Sequence, residues 1–136
     1  MTFDDIVAYL RRDGWPVEPL REQTIRSSFR GEQRSYPFFV HAEAAYLVVA
    51  VVPYQRLPVD EDDAQRLMNR LLQLNNDMMF AKFSVDEDGD VILSVEYPMA
   101  HLDESELRDA LDVLTFYADK HWPEIMGLGE MPVTPP

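Results

Sequence analysis

The seven residues Tyr46–Val52, reading YLVVAVV, constrain the fold more than any other stretch. They show no polar alternation, so as a strand they are expected to be buried on both faces, and the fold has to supply cover on each side. Prolines at 53 and 58 bracket the exit of the run. It is far shorter than the roughly 20 apolar residues that span a bilayer. The reading is therefore an interior strand, not a membrane segment.

The rest of the chain supplies that cover. At 136 residues, with 46% hydrophobic and 11% aromatic content, it is expected to form one domain with a real core. Thr2 and Asp5 make a capping-box pattern, and Phe3, Ile6, Val7 and Leu10 then fall on one helical face until Gly14 and Pro16. From Thr24 the period becomes two, with Ile25, Ser27 and Phe29 alternating with Arg26, Ser28 and Arg30. After a turn at Gly31–Gln33, Tyr36–His41 reads as a second strand, in which Pro37 favours an edge or a strand start. A tight turn at Glu43-Ala44 leads into Tyr46–Val52.

Asp60–Asp63 places four acids at a helix start, where the backbone dipole favours them. The helix is expected to reach about Asn76, with Leu67, Leu71, Leu74 and Met78 as its stripe. Met68 and Leu72 widen the apolar arc to roughly 160°. Strands near 79–85 and 91–97 follow, and Asp103 with Glu106 caps a last helix that Pro123 is expected to stop. The predicted order is α-β-β-β-α-β-β-α, as one α+β domain over residues 1–126, with a mobile proline-rich tail over 127–136.

The sequence carries no clear site of chemistry. The run DEDGD at 86–90 fails the calcium-loop pattern in either frame. With Asp86 first, position six is Val91. With Gly89 sixth, position one is Ser84 and position twelve is Val95. Asp88-Gly89 reads as a hairpin turn. His41, His101 and His121 have no metal-ligand spacing, and the chain has no cysteine. Phosphate loops, nucleophile elbows and zincin helices do not occur. The expectation is a non-enzymatic protein without cofactor or metal. The N-terminus lacks the basic start and apolar run of a signal peptide, and with no cysteine a cytoplasmic location is expected.

Charge is lopsided. Residues 1–58 hold seven acids and seven arginines, whereas the remaining 78 hold eighteen acids against five bases, which accounts for the whole net charge of −13. Such a field repels phosphate backbones and membranes and favours basic partners. Arg26, Arg30 and Arg34 are the residues through which a nucleic-acid-binding alternative would act, on single strands.

The apolar content exceeds what three short helices on one sheet can cover, which points to a surface hidden by another molecule. Phe38, Phe39, Met78 and Phe116 are the expected partner contacts, with Met68 and Leu72 as the expected homodimer interface. The segments LLQLN at 71–75, FAKF at 80–83, the Asp88-Gly89 turn and DKHWPE at 119–124 resemble bacterial YbjN-like proteins, over roughly residues 2–126. Those share the fold of type III secretion chaperones. The resemblance implies an antiparallel sheet of five strands with three helices, usually dimeric, a chaperone-like or regulatory role linked in some relatives to stress, and no catalytic residues. The expected partner is a protein, of which a basic nucleic-acid-binding protein would suit the charge.

Overall fold

A computed structural model describes residues 1–129. It contains α1 (Phe3–Arg12), β1 (Glu18–Arg21), β2 (Thr24–Arg30), β3 (Ser35–Glu43), β4 (Tyr46–Arg56), α2 (Glu61–Asp77), β5 (Ala81–Val85), β6 (Asp90–Pro98) and α3 (Glu104–Leu128). The strands form one sheet in the order β1-β2-β3-β4-β6-β5, with every pairing antiparallel. The α+β class, the three helices and the antiparallel sheet follow the sequence reading. The strand count does not: there are six strands, not five.

The additional strand, β1, reads EPLR and is exposed at all four positions. It has no apolar alternation, and Pro19 weakens it further, so only its pairing with β2 makes it a strand. Two other boundaries also move. β4 runs through Pro53 to Arg56, its pairing with β6 shifting between Val51 and Gln55. α3 runs through Pro123 instead of stopping there. An internal proline costs about 3 kcal/mol, and burial of Trp122 and Ile125 on either side of it opposes that cost. Gly127 and Leu128, assigned to the tail by sequence, are therefore helical, while 130–136 of the expected mobile tail lie outside the described residues.

Side-chain caps start all three helices. Thr2 and Asp5 form the reciprocal capping box, while Asp60 and Asp103 accept from the N–H groups of Asp63 and Glu106. Registration across the sheet puts Ile25, Val40, Val49 and Val95 in one row, and Val51, Leu93 and Phe83 in the next. All are buried in a single core with the inner faces of the helices. On the alternate positions Arg26, Phe39, Val48 and Glu96 are half-buried or exposed. β4 is thus central, as its sequence implies, but at Val48 and Val52 its second face is only half covered. Pro37 is accommodated because β4 pairs with β3 only from Phe39 onward. The acidic run is a hairpin turn: Gly89 takes φ +80°, and Asp86 Oδ1 accepts from the N–H groups of Asp88 (2.9 Å) and Asp90 (3.0 Å).

β5 is an edge strand, and Asn75 of α2 closes part of that edge. Its Oδ1 accepts from the Phe83 N–H (2.6 Å) and its Nδ2 donates to the Phe83 carbonyl (3.0 Å). The side-chain amide thus takes the place of a neighbouring strand, which blunts the edge against pairing with other chains. Asn75→Ala should cost about 1–3 kcal/mol in urea denaturation, because two backbone groups lose partners. The variant should also associate at high concentration in sedimentation velocity, through the freed edge.

Candidate partner-binding surface

α3 lies across β4, β6 and β5, and its outer face borders a groove of about 820 Å³ against the β2–β3 hairpin. Trp15 and Phe29 contribute aromatic surface, Phe116 and Lys120 line the α3 side, and Arg30 and Glu32 line the hairpin side. Asp119 of α3 ties the two sides together. Its carboxylate accepts from the Glu32 N–H (3.1 Å to each oxygen) and from the Tyr36 hydroxyl (3.2 Å). Only glycine fits at position 31, where a Cβ would sit 2.3 Å from Asp119 Oδ1 and 2.7 Å from the Tyr36 ring. Burial, with Asp119 alongside, pushes the Tyr36 hydroxyl up, so this tie is made by a neutral phenol.

Phe116 is 58% exposed on the groove wall, with Lys120 Nζ 5.5 Å from its ring centroid. Met68 and Leu72 are exposed on α2, where they line a smaller hollow of about 160 Å³ with Phe83, Ser84 and Val85 at the β5 edge. Phe39 is half-buried on the opposite face of the sheet, between Arg26 and Ala50. The expected contact residues therefore sit at three separate places.

Two expected contacts are corrected by burial. Phe38 is 0% exposed: it shares a face with Tyr36 and Val40 and meets Trp15 edge-on at 5.6 Å. Met78 continues the inner stripe of α2 and closes on the core. The exposed pair in that segment is Met79 and Phe80; of the triple at 78–80 the sequence reading takes Met78 as the contact, which is the buried one. Its signal was the apolar triple MMF at the change from helical to strand period, where the outward residues cannot be told from the inward one.

The three arginines do not form one basic surface. Arg34 is 3% exposed, with its guanidinium 4.9 Å from the Tyr36 ring centroid and 4.5 Å from that of Trp122. Its Nε donates to the Ser35 carbonyl (2.9 Å). Burial pulls its pKa down. It is a core residue, which removes it from the nucleic-acid alternative. Arg26 lies on the open sheet face and Arg30 at the groove.

His121 packs where α2, α3 and β5 meet. Its ring stacks on Tyr117 at 5.8 Å and lies 6.1 Å from Phe83. Burial and then the Lys120 charge pull its pKa below 6.5, with Arg70 also lowering it and Glu124 and Asp77 opposing. Beside it Arg70 holds Glu124 through Nε (2.5 Å) and Nη2 (3.1 Å).

The sequence profile of the YbjN family, described as "Putative bacterial sensory transduction regulator", matches residues 2–125. The chain belongs to the YbjN family. Among solved structures it is similar to YbjN from E. coli, "a putative transcription regulator", with a TM-score of 0.66 at 9% identity over 91% of this chain and 93% of that one. It is similar to a chain in the heterodimeric ExoU–SpcU complex of the Pseudomonas aeruginosa type III secretion system, with a TM-score of 0.61 at 17% identity over 90% and 96%. A third likeness is to a chain in the complex of the Yersinia pestis type III secretion chaperone SycH with a fragment of YscM2, with a TM-score of 0.56 at 13% identity over 86% and 97%. At these identities the likeness is one of fold. No curated protein matches the chain. Within the YbjN resemblance, LLQLN and FAKF meet directly, because Asn75 of the first clamps Phe83 of the second. No helix of the described residues is long and apolar enough to cross a membrane.

The lowered pKa of His121 fixes a sign for stability. The unfolded chain binds the proton more readily, so the stabilising contribution is present above pH 6.5 and declines as pH falls through the window below it. Glu124 has its pKa lowered by the Arg70 hydrogen bond, so its contribution declines only below its ordinary value of 4.5. Urea melts should therefore lose stability as pH falls below about 6.5, before Glu124 begins to contribute, and His121→Phe should flatten that loss.

Proposed function

We propose that this chain is a non-enzymatic protein-binding module, chaperone-like or regulatory, acting as a homodimer on a partner of basic character. The observation that carries the reading is the exposure of large apolar side chains that its own core leaves uncovered. Phe116 stands at the aromatic groove, and Leu72, 67% exposed, stands beside Met68 on α2. Single exposed apolar residues are ordinary, whereas groups of them beside a groove mark contact surfaces. Structures with this fold have been solved as protein–protein complexes, which supports the reading.

The two surfaces take different roles. Met68 and Leu72 lie on one side of α2 with Val85 of the β5 edge beside them, a self-complementary strip suited to a twofold dimer. The α3 groove, Phe116 and the more distant Phe39 are the partner contacts. Beyond residue 58 the excess of eighteen acids over five bases selects partners bearing Lys and Arg and speeds their encounter.

Leu72→Asp should convert a dimer to a folded monomer in sedimentation equilibrium. Affinity capture from the native lysate should recover a specific protein with the wild-type chain and lose it with Phe116→Asp. A monomeric wild-type chain would remove the dimer, and capture indifferent to Phe116→Asp would remove the groove.

A further inference from the structure

We propose that the α2–β5 connection is a partner anchor: Met79 and Phe80 dock a segment of a partner protein that carries apolar side chains flanked by Lys and Arg. The proposal rests on the protein-binding reading above and adds a site to it. Met79 and Phe80 are each 72% exposed, more than any other large apolar side chain described except Val59.

The backbone there is held in a costly shape. Phe80 takes φ +65°, and the Ala81 N–H donates to the Met79 carbonyl (2.7 Å), which closes a γ-turn on Phe80 of the strained, positive-φ kind. Glycine would adopt this shape without penalty, whereas a bulky aromatic pays for it. Burial of the Phe80 ring repays little of that cost, since the ring stays 72% exposed despite its contact with Tyr97. Strain kept without a gain to the fold points to function. The turn is also braced. The Met79 N–H donates to the Tyr117 hydroxyl (3.1 Å), and three residues beyond Phe80 the Asn75 clamp holds Phe83.

Around the turn lies an aromatic bed. Phe80 stacks on Tyr97 at 6.0 Å and 19°, and Tyr117, bonded to Met79, packs edge-on against Phe116 at 5.1 Å. The patch is therefore continuous from the turn across α3 to the groove wall. Its rim is acidic. Burial and then the nearby carboxylates of Asp109 and Glu106 push the Tyr97 hydroxyl up, Asp77 closes α2 just before the turn, and Asp112 lines the groove beside Phe116. The bases nearby are Lys120 over the Phe116 ring, Arg30 across the groove, and Lys82, which is held by Glu96 (2.8 Å). An apolar centre within acids is complementary to a segment whose apolar anchors are flanked by bases.

The test uses a fluorescein-labelled helical peptide built of Leu and Lys, with Leu/Glu and Ser/Lys peptides as controls, titrated with the full chain in fluorescence anisotropy. Only the Leu/Lys peptide should bind, and Phe80→Gly should weaken it roughly tenfold or more, as loss of a central aromatic anchor does. Glycine accepts the positive φ, so thermal melting of Phe80→Gly should stay level or rise, and a purely structural Phe80 would instead give a drop. Met79→Ser should weaken the same peptide without using the strained position. Equal binding of the Leu/Lys peptide by wild type and both variants would overturn the site, as would equal binding of the Leu/Glu peptide. A loss of self-association in Phe80→Gly, with peptide binding intact, would give the patch to a second copy of the chain instead. Capture that still depends on Phe116 while Phe80→Gly binds the peptide normally would leave the protein-binding reading standing and remove only this anchor.

Discussion

The seating of α3 on the sheet through one aromatic cluster is what the other features depend on. Trp122 meets Tyr36 and Tyr54 edge-on, at 6.2 and 5.5 Å, while the Arg34 guanidinium covers its face. The Tyr54 hydroxyl donates to the Ala118 carbonyl (2.6 Å), and Asp119 receives the Tyr36 hydroxyl. Each phenol is pushed up, chiefly by burial, so each remains a neutral donor. Ala118, Asp119 and Trp122 of α3 are thereby fixed to β3, β4 and the hairpin between β2 and β3 within little more than one turn. That grip lets the helix continue through Pro123.

Once that face of α3 is buried, the opposite face has to look outward. Phe116 is carried to that outward face by helical spacing from Ala118 and Trp122, while Tyr117 beside it is half-buried against His121. The groove, its aromatic wall and the bed beneath Phe80 all follow from this placement. In the proposed reading, Glu106, Asp109 and Asp112 of α3, which lie near that patch, would favour a basic partner over a second acidic surface.

How much of this was legible depends on the signal each element left. YLVVAVV announced β4 because an unbroken apolar run has few other uses, and Thr2, Asp60 and Asp103 marked helix starts through side-chain chemistry that acts locally. β1 left no such signal, since its residues face solvent and only the partner strand makes them extended. Pro123 was misread because its local penalty is visible in sequence while the compensating burial of Trp122 and Ile125 is tertiary. Phe38 and Phe39 are neighbours on β3 and so face opposite ways, but period two cannot say which face the helices cover, and the sequence reading makes contacts of both. Arg34 was the largest misjudgement: a charged residue was assumed to be wet, and two aromatic rings distant from each other in sequence enclose it.

The central claim is that the outward face of α3 is covered by another protein when the chain is at work. Site-specific photo-crosslinking in living cells tests it most directly, with benzoylphenylalanine placed at position 116 and, as a control, at position 88 in the hairpin turn. The account predicts a discrete adduct with a different protein from position 116 and none from position 88. Adducts with the chain itself alone, or the same pattern from both positions, would contradict it.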